Sequence, residues 1–134
     1  MESARRTRGT VLYIDDNPAN VRLVARLIEQ RPSLRFMSAD LGQRGIDLAR
    51  QHRPDLILLD LHLPDMEGGA VLRAIRQDPQ LGQTPVIVLS AEAEADLPTQ
   101  MLAAGAQGYL MRPLDFDQFF AAVDRSLPAD GAED

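Results

Sequence analysis

The sequence predicts an α/β domain in which a parallel β-sheet carries helices on both faces. Three observations predict it. Five short apolar runs recur along the chain: Thr10-Val11-Leu12-Tyr13-Ile14, Leu34-Arg35-Phe36-Met37, Leu56-Ile57-Leu58-Leu59, Pro85-Val86-Ile87-Val88-Leu89 and Gln107-Gly108-Tyr109-Leu110-Met111. Segments with apolar residues at helical intervals fill the gaps between them. The third run is apolar throughout rather than alternating, the mark of a strand buried on both faces.

Each element has its own local reason. After the first run, Asn17 can cap a helix and Pro18 suits its first turn. Val21, Val24, Leu27 and Ile28 then recur on one face until Pro32 stops the helix. The run Leu34–Met37 leads into Ser38-Ala39-Asp40 and reads as an edge strand. Gly45 to His52 is helical and ends ahead of Pro54. Pro64-Asp65-Met66-Glu67-Gly68-Gly69 completes a turn after the third strand, with Asp65 as a turn residue. Ala70 to Gln77 sets Val71, Leu72 and Ile75 on one helix face, and Asp78-Pro79 breaks it. Asp96 to Ala104 gives Leu97, Met101 and Leu102 a helical period closed by Gly105. Asp115 to Leu127 is the clearest amphipathic helix, with Phe116, Phe119, Phe120, Val123 and Leu127 predicted as its core stripe.

Composition bounds the function. A net charge of -6 argues against a phosphate-backbone partner, so no nucleic acid is expected. The absence of cysteine excludes a disulfide framework and thiolate metal sites. No apolar segment approaches the roughly 18 residues of a membrane span, and a cytoplasmic location is expected. Residues 1–9 are expected as a flexible tail, 10–127 as the domain and 128–134 as a linker or tail.

The chemistry is read from where the strands stop. Four of the five runs end on Asp15-Asp16, Asp60, Ser90 and Arg112 respectively. In a parallel sheet those ends share one edge, the crevice in which open α/β sheets bind ligands. Three carboxylates brought together need a proton or a cation. An all-oxygen site with water access suits Mg²⁺, and one carboxylate can then serve as a nucleophile toward phosphorus. Taken singly, Asp15-Asp16 reads as a helix-capping turn and Ser90 as a loop serine. Their common edge is what favours the site.

These residues resemble a known family. Asp15-Asp16, Asp60 with Leu63-Pro64-Asp65-Met66-Glu67-Gly68, Leu89-Ser90-Ala91 and Arg112-Pro113-Leu114 are similar to the receiver domain of two-component response regulators, of the chemotaxis-regulator type. The likeness runs from Thr10 to Leu127. It implies a flavodoxin-like, doubly wound sheet of five strands in order 2-1-3-4-5, with five helices. It implies Asp60 as phosphoacceptor, loaded from the phosphohistidine of a sensor histidine kinase or a histidine phosphotransfer protein. It implies Mg²⁺ (or Mn²⁺) held by Asp16, Asp60 and the His62 backbone carbonyl, with Asp15 acting mainly through water. Ser90 and Tyr109 would be switch residues that remodel the face of the fourth helix, fifth strand and fifth helix, a face open to homodimerisation. The domain would catalyse only its own phosphotransfer and dephosphorylation, and would not be an enzyme for outside substrates.

One departure stands out. Arg112 occupies the position where the family carries lysine, exchanging a point charge on a flexible stem for a planar fork. A receiver-like interaction module with weak or no phosphorylation is therefore a rival reading. A small Mg²⁺-dependent phosphohydrolase is a third, without a cap domain or a second acid-base group to support it. The Arg112-Pro113 bond is expected to be cis.

Overall fold

The computed structural model describes residues 9–91 and 96–127. The elements follow in strict alternation: β1 (Gly9–Ile14), α1 (Pro18–Ile28), β2 (Leu34–Ala39), α2 (Gly42–His52), β3 (Leu56–Leu59), α3 (Gly68–Gln77), β4 (Val86–Ser90), α4 (Leu97–Ala103), β5 (Gly108–Met111) and α5 (Phe116–Ser126). All strand pairs are parallel, and the order is β2-β1-β3-β4-β5. β2 pairs with β1 alone and is an edge strand, as its weak run predicts. The expected tails, residues 1–8 and 128–134, lie outside the described residues, and Gly9 already belongs to β1.

Alternation along each strand splits the core into two. Leu12, Ile14, Ile57, Leu59, Val86 and Val88 face α2 and α3, joined by Ile46, Ala49, Val71, Leu72 and Ile75. Val11, Tyr13, Leu56, Leu58, Ile87 and Leu89 face α1 and α5, against Val24, Leu27, Ile28, Phe119 and Val123. Strands carrying apolar residues on both sides can only be central, which is why β1, β3 and β4 lie inside the sheet.

Several boundaries differ from expectation for identifiable reasons. α1 opens as predicted, with Asn17 accepting hydrogen bonds from the Ala19 and Asn20 amides at 2.9 and 3.2 Å. It ends at Ile28, ahead of Pro32. α2 starts at Gly42 rather than Gly45, and its own N-cap residue, Leu41, offers no side-chain acceptor. The missing cap comes from the β3–α3 loop: Asp65 accepts from the Gly42 and Gln43 amides at 2.7 and 3.0 Å. Asp65 is thus more than a turn residue, since it ties the loop following Asp60 to a neighbouring helix. The apolar stripe of α5 also needs correction. Phe119 is fully buried and Phe120 partly, but Phe116 is 49% exposed, because at the first position of α5 it lines a surface groove with Asn20 and Leu23 instead of entering the core.

The Asp65 contact has a pH signature. Its two backbone donors hold the carboxyl below the ordinary value of 3.8. A depressed folded-state pKa contributes stability above the unfolded value, and that contribution is lost as pH falls through the folded one. Asp65→Ala is therefore expected to lower the urea midpoint at neutral pH, with the deficit closing as the pH drops below 3.8. A deficit of equal size across the whole pH range would refute the capping role.

Candidate functional site

The ends of β1, β3, β4 and β5 converge as their sequences suggest. Register is held by backbone bonds that continue past the strands: the Asp15 amide donates to the Ala39 carbonyl at 3.0 Å, Asp60 to Ile14 at 2.9 Å and Arg112 to Ser90 at 2.9 Å. Gly68 lets the β3–α3 loop close tightly, since a Cβ there would lie 2.7 Å from the Asp60 carbonyl oxygen.

Asp15, Asp16 and Asp60 each place a carboxylate oxygen within 4.8 Å of the others. Their surroundings differ. Asp15 is 2% exposed, whereas Asp16 reaches solvent. Asp15 is heavily engaged: it accepts from the Asn17 amide at 2.9 Å, the Asn20 side chain at 3.1 Å, the Tyr13 hydroxyl at 2.5 Å and Arg112 Nη2 at 2.9 Å. Asp60 is partly buried, and burial first, then the Asp15 charge, raises its carboxyl above the ordinary range. Arg112 and the His62 amide oppose that rise.

Arg112 enters the cluster from the far edge of the sheet. Its Nη1 lies 3.4 Å from Asp60 Oδ1, while Nη2 donates to both Asp15 and the Tyr13 hydroxyl. At such separations opposite charges attract by about 4 kcal/mol at an effective dielectric of 20, so one guanidinium offsets much of the repulsion between two carboxylates. The Arg112-Pro113 bond is cis, as expected.

The remaining predicted residues also lie here. Ser90 is fully buried at the end of β4. Tyr109 of β5, like Leu97 and Met101 of α4, packs against the core on the α2–α3 side of the sheet, and its buried hydroxyl meets no hydrogen-bond partner among the described residues. The His62 side chain is exposed.

Two further residues join the site without an obvious signal in the sequence. Tyr13 reads as one more apolar strand position, yet it precedes Asp15 by one strand period and so shares its face. Asn20 sits in the first turn of α1, where its side chain can reach back toward the strand end. Beside them, Asn20, Leu23, Arg112, Pro113, Leu114 and Phe116 line a groove of about 530 Å³ that opens next to the carboxylates.

The chain resembles known proteins over nearly its whole length. The family model described as the response regulator receiver domain matches residues 11–124. The chain is 36% identical over 122 residues to the signal transduction histidine-protein kinase BarA of Escherichia coli, covering 91% of this chain but only 13% of BarA. It is 32% identical over 118 residues to the polar-differentiation response regulator DivK of Brucella anthropi, covering 88% of this chain and 95% of DivK. The structure of the chemotaxis response regulator CheY4 of Vibrio cholerae superposes with a TM-score of 0.81 at 26% identity, covering 90% of this chain and all of CheY4. An order of strands, an acidic edge and a kinship that agree in this way have one meaning: the chain belongs to the response regulator receiver domains of two-component systems.

Proposed function

We propose that this domain accepts a phosphoryl group on Asp60 from a phosphohistidine of a partner protein and uses the modification to alter its α4-β5-α5 surface. The observation that carries the reading is the meeting of Asp15, Asp16 and Asp60 within 4.8 Å, with Arg112 reaching two of them. The donor set fits a hard divalent cation. It is all oxygen, and Asp16 opens it to water. Asp15, already accepting four hydrogen bonds, is suited to hold such an ion through water, leaving Asp16, Asp60 and the His62 carbonyl as direct ligands. When bound, Mg²⁺ or Mn²⁺ would neutralise negative charge on the acceptor and on the transferring group.

The transfer balances simply. A lone pair on an Asp60 carboxylate oxygen forms the O–P bond as the P–N bond to the donor imidazole breaks. The bonding pair goes to that nitrogen, which takes a proton from solvent. Arg112 remains cationic throughout and offers N–H donors to the phosphoryl oxygens. The Ser90 hydroxyl, at the tip of β4, turns to donate to another of them. Tyr109 follows behind Ser90, since its hydroxyl has no hydrogen bond among the described residues to give up. Water attacking the same phosphorus reverses the modification. The domain thus performs only its own loading and unloading, and is not an enzyme toward outside substrates.

The same geometry supports a class of partner. The groove between α1 and the β5–α5 segment suits the docking of a cytoplasmic phosphohistidine donor, either a sensor kinase or a phosphotransfer protein. Leu23→Asp in that groove is expected to slow transfer from such a protein about tenfold while sparing reaction with a small donor. Leu102 and Met111, 48% and 43% exposed, give the switching face apolar contacts for an output partner or a second copy.

The decisive experiment incubates the protein with Mg²⁺ and a small acyl phosphate and records its intact mass. A labile gain of one phosphoryl group supports the reading. No adduct favours an interaction module, and multiple turnover on varied phosphate esters favours a phosphohydrolase.

A further inference from the structure

We propose that Tyr13 is a positioning residue: its buried hydroxyl fixes the Arg112 guanidinium so that one N–H donor, not the two-pronged fork, meets Asp60. The inference rests on the reading of Asp60 as acceptor and concerns how this chain works with arginine at that place.

An arginine between two carboxylates has an easier arrangement open to it. Its planar fork matches a single carboxylate in bidentate fashion, which is the stronger contact. Such a grip on Asp60 would engage both of its oxygens, including the one that must attack phosphorus. The structure has a different arrangement. Nη2 donates to Asp15 Oδ2 at 2.9 Å and to the Tyr13 hydroxyl, so both of its hydrogens are committed to Tyr13 and Asp15. Arg112 therefore meets Asp60 through Nη1 and Oδ1 alone, at 3.4 Å.

Tyr13 can impose this because it cannot move. Its ring is fully buried in the α1–α5 core with Val24 and Phe119. Its hydroxyl donates to Asp15 at 2.5 Å, which leaves an oxygen lone pair for Arg112. A phenylalanine would fill the same space and release one Nη2 hydrogen, freeing the fork to rotate onto Asp60. A lysine at residue 112 has no fork, so Tyr13 should matter much less to it.

The test is a double-mutant cycle of Tyr13→Phe and Arg112→Lys, read as the rate of adduct formation from a small acyl phosphate with Mg²⁺. Tyr13→Phe alone is expected to lower the maximal rate about tenfold without raising the donor concentration at half-maximum. In the Arg112→Lys background its penalty should be about fivefold smaller. Equal penalties in both backgrounds, or none in either, would overturn the proposal, and circular dichroism melts would separate misfolding from misplacement. A second readout needs no phosphoryl transfer. In ¹⁵N NMR of the divalent-free protein, the Arg112 Nη signals should be resolved by restricted rotation and should broaden toward an average in Tyr13→Phe. Averaged signals already in the unsubstituted protein would refute the positioning role. Resolved signals with no adduct on any variant would instead refute the acceptor reading and leave the Tyr13 contact standing.

Discussion

Asp60→Asn is expected to abolish the labile phosphoryl adduct, reducing its rate of formation by about 10⁴-fold or more, as removal of a nucleophile does elsewhere. The amide has no anionic oxygen to attack phosphorus, and its neighbours are poor substitutes. Asp15 is committed to four hydrogen-bond donors, and Asp16 faces solvent. The same substitution should stabilise the fold in divalent-free buffer. Burial and the Asp15 charge raise the Asp60 carboxyl above 3.8, so ionised Asp60 is disfavoured in the folded state. A raised carboxyl subtracts from stability once the pH climbs past the unfolded value, and the deficit is complete above the folded one. Asparagine relieves it by on the order of 1 kcal/mol at neutral pH. Urea denaturation with and without Mg²⁺ checks this: the advantage should shrink or reverse when the cation is present. A variant less stable in both buffers would contradict the electrostatic account.

Arg112→Ala should act in the opposite sense on stability. It leaves Asp15 and Asp60 without the cation that bridges them, in a site where the Asp15 side chain is 1% exposed and that of Asp60 13%. Breaking a fully buried ion pair costs about 3–5 kcal/mol. Here the arginine is 17% exposed, and Asp15 keeps Tyr13, Asn17 and Asn20, so a loss of about 2 kcal/mol is expected. Millimolar Mg²⁺ should restore part of it, because the ion neutralises the same carboxylates. Adduct formation should also fall about 100-fold, the usual effect of deleting a donor aimed at developing negative charge. Calorimetry across a Mg²⁺ titration gives the first quantity and intact mass against time the second. A midpoint indifferent to both arginine and Mg²⁺ would show that the carboxylates do not share one field.

Much of this site is legible in the chain because its residues occupy places where hydrophobic patterning breaks. Asp15, Asp60 and Arg112 each follow an apolar run directly, and Ser90 closes one, so the interruption itself announces a strand end. Tyr13 and Asp65 announce nothing. One is an aromatic residue in a strand that welcomes aromatics, and the other is an ordinary turn residue. Their roles depend on partners far along the sequence, Arg112 for Tyr13 and the Gly42 and Gln43 amides for Asp65. Phe116 fails in the other direction: helical spacing assigns it to the core, but at the start of α5 it lines a surface groove.

Periodicity and burial are local consequences of side-chain polarity, so the alternation of strands and helices and the residues at the strand tips can be read from the chain alone. That Arg112, just past the edge strand β5, reaches across the end of β4 to Asp60 and on to Tyr13 and Asp15 at the end of β1 is settled by the folded arrangement alone. The direction of a long side chain depends on which acceptors the folded sheet brings within its reach, and no local pattern records that.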